Sequence, residues 1–130
     1  MQEVRITTHA TTELIDVTGL VQREVAASGV ETGLCTVFCP HTTAGLTLNE
    51  AADPDVAKDL RDALDRVLPE DVPWRHAEGN SPAHVKASLI GASAHVLIRG
   101  GRMALGRWQG IFFCEFDGPR ERTMWVQVHA

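Results

Sequence analysis

The sequence contains no apolar run approaching the roughly 18 residues a membrane-crossing helix requires. Its first residues, MQEVRITTHATTE, lack the charged-then-apolar layout of a signal peptide. No membrane partner is therefore expected, and the expected location is the cytoplasm. Cysteine is scarce, and three such residues do not make a disulfide framework. Cys35 and Cys39 fall in LCTVFC, which reads as a strand. Four residues along a strand cover about 13 Å, well beyond the roughly 4.4–6.8 Å between Cα atoms that a disulfide tolerates. The two cannot bridge each other, nor readily share one metal. A dense basic face is also missing: the net charge of -5 argues against a nucleic-acid partner, because neutralising phosphates needs clustered lysine and arginine. There is no internal repeat, low-complexity tract or linker. At 130 residues the chain is far short of the roughly 250 a (β/α)₈ barrel needs, so residues 1–130 are expected to form one domain.

What is present is an ordinary globular composition, 44% apolar and 22% charged. VRITTHA alternates and predicts a first strand. Asp16 is placed to cap a helix in which Val17, Leu20, Val21 and Val25 recur at helical spacing, with Gly29 as a left-handed stop. ETGLCTVFCP is apolar on both alternations, the pattern of a central strand buried on two faces, and Pro40 ends it. After the loop HTTAG, GLTLNE reads as a short strand with one polar face. Asp53, Pro54 and Asp55 then form a strong helix start, and Val56, Leu60, Ala63, Leu64 and Val67 trace one stripe that stops near Pro69. Val72 to Pro82 reads as a loop. AHVKASLIGAS is expected to be helical, with Val85, Leu89 and Ile90 on one side. The last forty residues predict three antiparallel strands joined by tight turns: AHVLIRGG, RMALGRWQGIFFCEF and ERTMWVQVH. The fold class expected is α+β, a mixed, largely antiparallel sandwich-like sheet core with two or three helices and six or seven strands.

The charge is unevenly spread. Residues 1 to 74 carry five basic and thirteen acidic side chains (-8), whereas residues 75 to 130 carry seven and four (+3). The later arginines, Arg99, Arg102, Arg107, Arg120 and Arg122, can hold a small phosphorylated metabolite; they are equally consistent with solvated strand positions. Three histidines stand in loops beside strands or helices: His41 in CPHTTAG, and His76 and His84 in HAEGNSPAH. Imidazole both binds zinc-like metals and transfers protons near neutral pH. The spacing is not HExxH, and a loop histidine is also at home in solvent. Glu50 and Glu78, the carboxylates nearest them in sequence, can orient an imidazole, bind a metal or be solvated. Thr42 and Thr43, past the end of a buried strand, can offer hydroxyl and backbone N–H groups to phosphate oxygens, or simply hold a polar turn. Asn80 and Ser81 carry the same two readings. In GRWQG, Gly106 and Gly110 suggest a bulge or a close approach, while Trp108 reads as core or interface before stacking platform. DGPR reads as a turn that leaves Arg120 free to face an anion, and Cys114 as a buried small apolar side chain.

Taken together, CPHTTAGLTLNE, DPDV, HAEGNSPAHVKASLIG, LGRWQG and CEFDGPR occur in an order that resembles the YjbQ-like family from about Cys39 to the C-terminus. The resemblance implies a compact α+β homotrimer with a sandwich-like core, and a secondary thiamine-phosphate synthase that joins a hydroxymethylpyrimidine diphosphate to a thiazole phosphate with loss of pyrophosphate. It implies a catalytic set of His41, Glu50, His76 and His84, with the three histidines as a metal or anion site, possible across a subunit boundary. Thr42, Thr43, Asn49, Glu78, Asn80, Ser81, Lys86, Trp108, Gln109 and Arg120 would bind substrate, and a divalent metal, zinc or magnesium, is the implied cofactor. Two departures stand out: VLIRGG lacks an expected proline, and Arg107 replaces a common threonine. The same residues also suit a metal- or phosphometabolite-binding module with incidental synthase activity, or a metal-assisted phosphoester hydrolase in which water replaces the thiazole.

Overall fold

A computed structural model describes all 130 residues. Three helices and eight strands follow in the order β1 (Gln2–Thr7), β2 (Glu13–Asp16), α1 (Thr18–Ser28), β3 (Thr32–Phe38), β4 (Ala44–Glu50), α2 (Pro54–Val67), α3 (Ser81–Ile90), β5 (Ser93–Arg99), β6 (Arg102–Met103), β7 (Gln109–Glu115) and β8 (Glu121–His129). They form a five-stranded sheet ordered β1-β8-β3-β5-β6 and a three-stranded sheet ordered β2-β7-β4. Every strand pair is antiparallel. The α+β class with a sandwich-like core is thus realised, and no helix is long and apolar enough to cross a membrane.

The main core lies between the two sheets and α1. Val17, Val21 and Val25 are fully buried against Cys35 and Val37 of β3, Ile111 and Phe113 of β7 and Met124 and Val126 of β8. A smaller cluster forms where α3 covers the three-stranded sheet, joining Ala83 and Ala87 to Phe112, Cys114 and Phe116. All three cysteines are buried free thiols, and burial pushes Cys35 up to about 11 and Cys114 to about 12.

Several local expectations shift. The helix cap falls on Val17 rather than Asp16, although the Asp16 carboxylate accepts from both the Thr18 N–H and its hydroxyl, at 2.9 and 2.6 Å. Gly29 does end α1, at φ 70°. Asp53 caps α2 through the Asp55 N–H at 2.9 Å, with Pro54 opening the helix. Yet no residue of α2 is buried and Val67 is exposed, because the helix rests on the rim of the small sheet rather than over the core. α3 begins at Ser81, inside the expected loop, and its apolar stripe is only partly as expected: Ile90 packs against the small cluster and Val85 is half-buried, but Leu89 faces out, while Ala83, Lys86 and Ala87 are buried. The helix end comes close to β4. A Cβ on Gly45 of β4 would lie 2.6 Å from the Gly91 carbonyl oxygen and 3.2 Å from Ile90 Cγ2, so the glycine lets the end of the helix and the Ile90 side chain pack directly on the strand.

The late strands are not one local antiparallel set. Gly100 and Gly101, at φ 60° and 75°, turn β5 into the two-residue β6. The chain then crosses to the other sheet, where β7 pairs with β2 and β4, and β8 returns to pair with β1 and β3. Residues 104–108, between β6 and β7, make the crossing and contain one glycine, Gly106. In β3, one alternation is buried and the other is not: Cys35 and Val37 face the core, whereas Phe38 is 40% exposed. Leu34 pairs with Leu97 (67% exposed), and the Phe38 and Trp125 rings stack at 5.8 Å. The expected second buried face is therefore an open apolar surface in the single chain.

Candidate functional site

Four pieces of chain converge where β3 ends, β4 begins and β7 ends. Ala44 pairs with Glu115 across β4 and β7, so the HTTAG loop and the residues after Glu115 emerge side by side. α3 lies across β4 and brings in its N-terminal residues. The result is a cleft of about 460 Å³ lined by Pro40, His41, Thr42, Thr43, His76, Glu78, Asn80, His84, Asp117, Arg120 and Arg122. The three histidines, separated by up to 43 residues of sequence, thus face one space.

His41 is locked at the strand end. Its Nε2 lies 3.0 Å from both the N–H and the carbonyl oxygen of Thr123, taking over the ladder where β3 has stopped pairing with β8. Burial and the nearby Arg122 charge hold its pKa below the ordinary histidine range, so it is neutral at pH 7. Nδ1 bonds to no group of the protein. The His76 and His84 rings meet edge to face at 5.3 Å, and His76 Nε2 is 3.7 Å from the Glu78 carboxylate.

The floor is a buried polar network. Glu115 is fully buried, and Arg122 is 6% exposed. Arg122 Nε donates to Glu115 Oε1 at 2.8 Å, and its Nη2 donates to Glu115 Oε2 and, at 2.8 Å, to the Thr43 hydroxyl. Thr8 donates its hydroxyl hydrogen to Glu115 Oε1 at 2.8 Å, and the N–H groups of Phe116 and Asp117 donate to Oε2. Burial alone would raise the Glu115 pKa; the hydrogen bonds from Arg122, Thr8 and the Asp117 N–H, with the Arg122 charge, outweigh it and leave the carboxylate ionised below its ordinary value. Asp117 is likewise held low against burial, by Asn80 Nδ2 and Arg120 Nη2, each at 2.9 Å. Arg122 and Arg120 bond through Nε and Nη2 alone, so each Nη1 remains free of protein partners. Gly118, between Asp117 and Arg120, leaves no room for a side chain, since a Cβ there would sit 2.3 Å from the Ala10 carbonyl oxygen.

Of the substrate-binding set named from the sequence, Thr42, Thr43, Glu78, Asn80 and Arg120 line this cleft, and Ser81 lines the adjoining cavity. Lys86 does not: its ammonium is buried between helices, paired with Asp65 and 6.0 Å from the Phe116 ring. Asn49, Glu50, Trp108 and Gln109 lie at the opposite end of the small sheet, where Glu50 pairs with Gln109. Six residues of strand, about 20 Å, separate them from the histidines within one chain. Gly110 there is approached by protein, the Ala51 Cβ lying 2.6 Å from its hypothetical Cβ, and Arg107 stacks over the exposed Trp108 at 4.8 Å. The residues that sequence reasoning missed are Thr8, Glu115 and Asp117. A glutamate inside the apolar run IFFCEF was their signal, because a carboxylate on a buried strand requires a paired cation.

No three His, Cys, Asp or Glu side chains approach closely enough to hold a metal ion. The free guanidinium and imidazole N–H groups suit an anion better.

A family model described as UPF0047 protein YjbQ-like matches residues 2–130. UPF0047 protein YugU of Bacillus subtilis is 48% identical over 129 residues, 98% of each chain. UPF0047 protein MJ1081 of Methanocaldococcus jannaschii is 44% identical, covering 95% of this chain and 90% of its own. Among solved structures, a Clostridium acetobutylicum protein described as an uncharacterized conserved protein of the YjbQ/UPF0047 family superposes with a TM-score of 0.97 at 50% identity, over 99% of this chain and 100% of that one. The conserved hypothetical protein TT1486 of Thermus thermophilus gives 0.92 at 42% identity, with the same coverage.

Proposed function

The chain belongs to the YjbQ-like UPF0047 family, and from that premise we propose that it is an enzyme of small phosphorylated metabolites, a transferase of the secondary thiamine-phosphate synthase type. The observation that carries this reading is the lining of one polar cleft by three imidazoles and two arginines, each arginine keeping an uncommitted Nη1. In the transfer, the bond from the pyrimidine methylene carbon to the diphosphate oxygen breaks, and pyrophosphate leaves with the electron pair. The thiazole nitrogen lone pair then forms the new C–N bond. No proton is removed, because that nitrogen becomes quaternary; the protein must chiefly stabilise charge growing on the departing oxygens. Arg120, Arg122 and the His76 and His84 N–H groups are the donors for that task. Glu115 and Asp117 hold the two guanidinium groups in place.

A divalent metal would add charge neutralisation, but the histidines as folded do not form its coordination sphere, and the role proposed for them does not depend on one. The neutral His41 favours a second reading, hydrolysis of a phosphoester, since only an attacking water needs a base. The homotrimer belongs to the same proposal, with Leu34, Phe38, Leu97 and Trp125 as the apolar face a neighbouring subunit would cover.

The test is turnover of hydroxymethylpyrimidine diphosphate with thiazole phosphate by purified protein, with and without a chelator. His76→Ala and His84→Ala are expected to lower kcat/KM by about 100-fold or more, with unchanged circular dichroism. Unchanged turnover in both variants would refute the synthase assignment. Phosphate release without the thiazole would favour the hydrolase, and tight binding without turnover a binding module.

A further inference from the structure

Residues 52–79, α2 and the connection that follows it, include no buried side chain. Their polar attachments to the rest of the protein are few. No backbone hydrogen bond leaves the segment: the Ala51 N–H, bonded to the Trp108 carbonyl oxygen at 2.8 Å, is the last anchor before it, and the Asn80 amide, 2.9 Å from the Asp117 carboxylate, is the first after it. The ion pairs Asp55–Lys58, Arg61–Asp62 and His76–Glu78 all stay within it. Asp65 alone makes a hydrogen bond or ion pair outside, to Lys86 of α3.

Apolar attachment is equally slight. Val56, Leu60, Leu64 and Val67 trace one stripe of α2, yet only Ala57 and Leu64 of the helix pack against the small cluster, and both keep part of their surface in solvent. The Lys86 ammonium, itself almost fully buried, lies beside the Phe116 ring of that cluster. Its contact with the half-exposed Asp65 is therefore made at the edge of an apolar patch, where water screens it less than a fully exposed pair. Both ends of the segment suit a hinge. Asp53 is extended before Pro54 opens the helix, and Gly79, at φ 79°, holds a backbone conformation that other residues rarely adopt.

What the segment carries gives this weak attachment a consequence. His76 and Glu78 line the anion cleft, while Pro73, Trp74, Arg75 and His76 line a neighbouring cavity of about 530 Å³. His41, His84, Arg120 and Arg122 belong to the body of the domain. We propose that residues 52–79 form a lid over the histidine and arginine cleft, swinging at Asp53–Pro54 and Gly79 and latched by the Lys86–Asp65 ion pair. The structure is the closed state, in which His76 rests edge to face on His84. An anion held by the arginines also meets His76 on the lid, so ligand and latch favour the same state. This rests on the phosphometabolite reading of the cleft and adds the step that admits and encloses the ligand. Lys86 and Asp65 are positioning residues in that step.

Hydrogen exchange of the backbone amides, read by mass spectrometry on the full chain, tests the lid. Once detached, α2 is 14 residues long and marginal as a helix in water, so opening exposes its amides. In the free protein the α2 amides are expected to exchange about tenfold faster than those of α3, or more. Saturating inorganic pyrophosphate should slow α2 by about threefold or more, with β3 and β8 unchanged. Asp65→Asn, which removes the latch charge but keeps its shape, should speed α2 by about fivefold. Asp62→Asn, the same change at a side chain bonded only to Arg61, should not. Exchange of α2 as slow as that of α3, as expected if a second copy packs over it, would overturn the lid. Equal effects of the two Asn variants would do the same, as would unchanged α2 exchange with pyrophosphate shown by calorimetry to be bound; each of these leaves the anion cleft standing. Absence of pyrophosphate binding would instead remove the phosphometabolite reading and the anion-driven closure with it, while the rates in the free protein and the two variants still decide the lid.

Discussion

Replacing Arg122 by Met tests the physical basis of the site most directly. The substitution keeps an unbranched chain of similar reach but removes the cation from a network in which Glu115 has no exposed surface. Breaking a buried ion pair by deleting one partner typically costs about 3–5 kcal/mol. Three neutral donors would remain on the Glu115 carboxylate, the Thr8 hydroxyl and the N–H groups of Phe116 and Asp117, so the lower end, about 3 kcal/mol, is expected. For 130 residues the entropy of unfolding is on the order of 270 cal/mol/K, and 3 kcal/mol then corresponds to a fall in Tm of roughly 11 °C. Scanning calorimetry at pH 7 measures it. Adding Glu115→Gln should recover part of the loss, since no unpaired charge is then left buried.

The pH dependence carries a sign. With Arg122 present, the folded pKa of Glu115 lies below its ordinary 4.5, so the pair contributes stability above 4.5 that is lost as pH falls through the lower folded value. Without Arg122, its hydrogen bonds and charge no longer oppose burial, so the carboxyl titrates higher than in the unmodified protein and the variant loses less on taking up a proton. The gap between the two proteins should therefore be widest near neutrality and close on acidification. A Tm within 3 °C of the unmodified protein, or a gap that does not narrow in acid, would refute the buried-pair argument.

Two further outcomes are expected. His41 should titrate below 6.5 by NMR, since burial and Arg122 both disfavour its cation, and Arg122→Met should move it back upward; its contribution to stability is lost as pH falls from 6.5 through the folded value. A His41 titration at or above 6.5 would sink the claim that it is neutral in the cleft. Leu97→Glu, at a position 67% exposed in the single chain, should leave the monomer folded but convert a homotrimer to smaller species in light scattering; an unchanged mass would exclude that face as the subunit contact.

Local signals carried most of the elements. The Asp53-Pro54 start of α2, the Gly29 stop of α1 and the alternation in VRITTHA each depend on a few adjacent residues, whose φ preferences and capping bonds act without tertiary help. The strand order was not legible, because IFFCEF and ERTMWVQVH have the same strand-forming character whichever sheet takes them. The buried side of α3 was hidden for the same reason: Ala83 and Ala87 look indifferent until the fold sets them against Phe112, Cys114 and Phe116.

The sequence by itself determined that this is a single α+β domain with an acidic first half, a basic second half and His41 and His76 in loops, whereas His84, expected in a loop, lies in α3; composition, periodicity and turn chemistry are properties of neighbouring residues. Only the tertiary structure decided that His41, His76 and His84 share a cleft while Glu50 and Trp108 lie at the other end of the small sheet. It also decided that Glu115 and Arg122 form the floor, since a buried charge finds its partner through strand pairing and packing across the whole chain rather than through spacing along it.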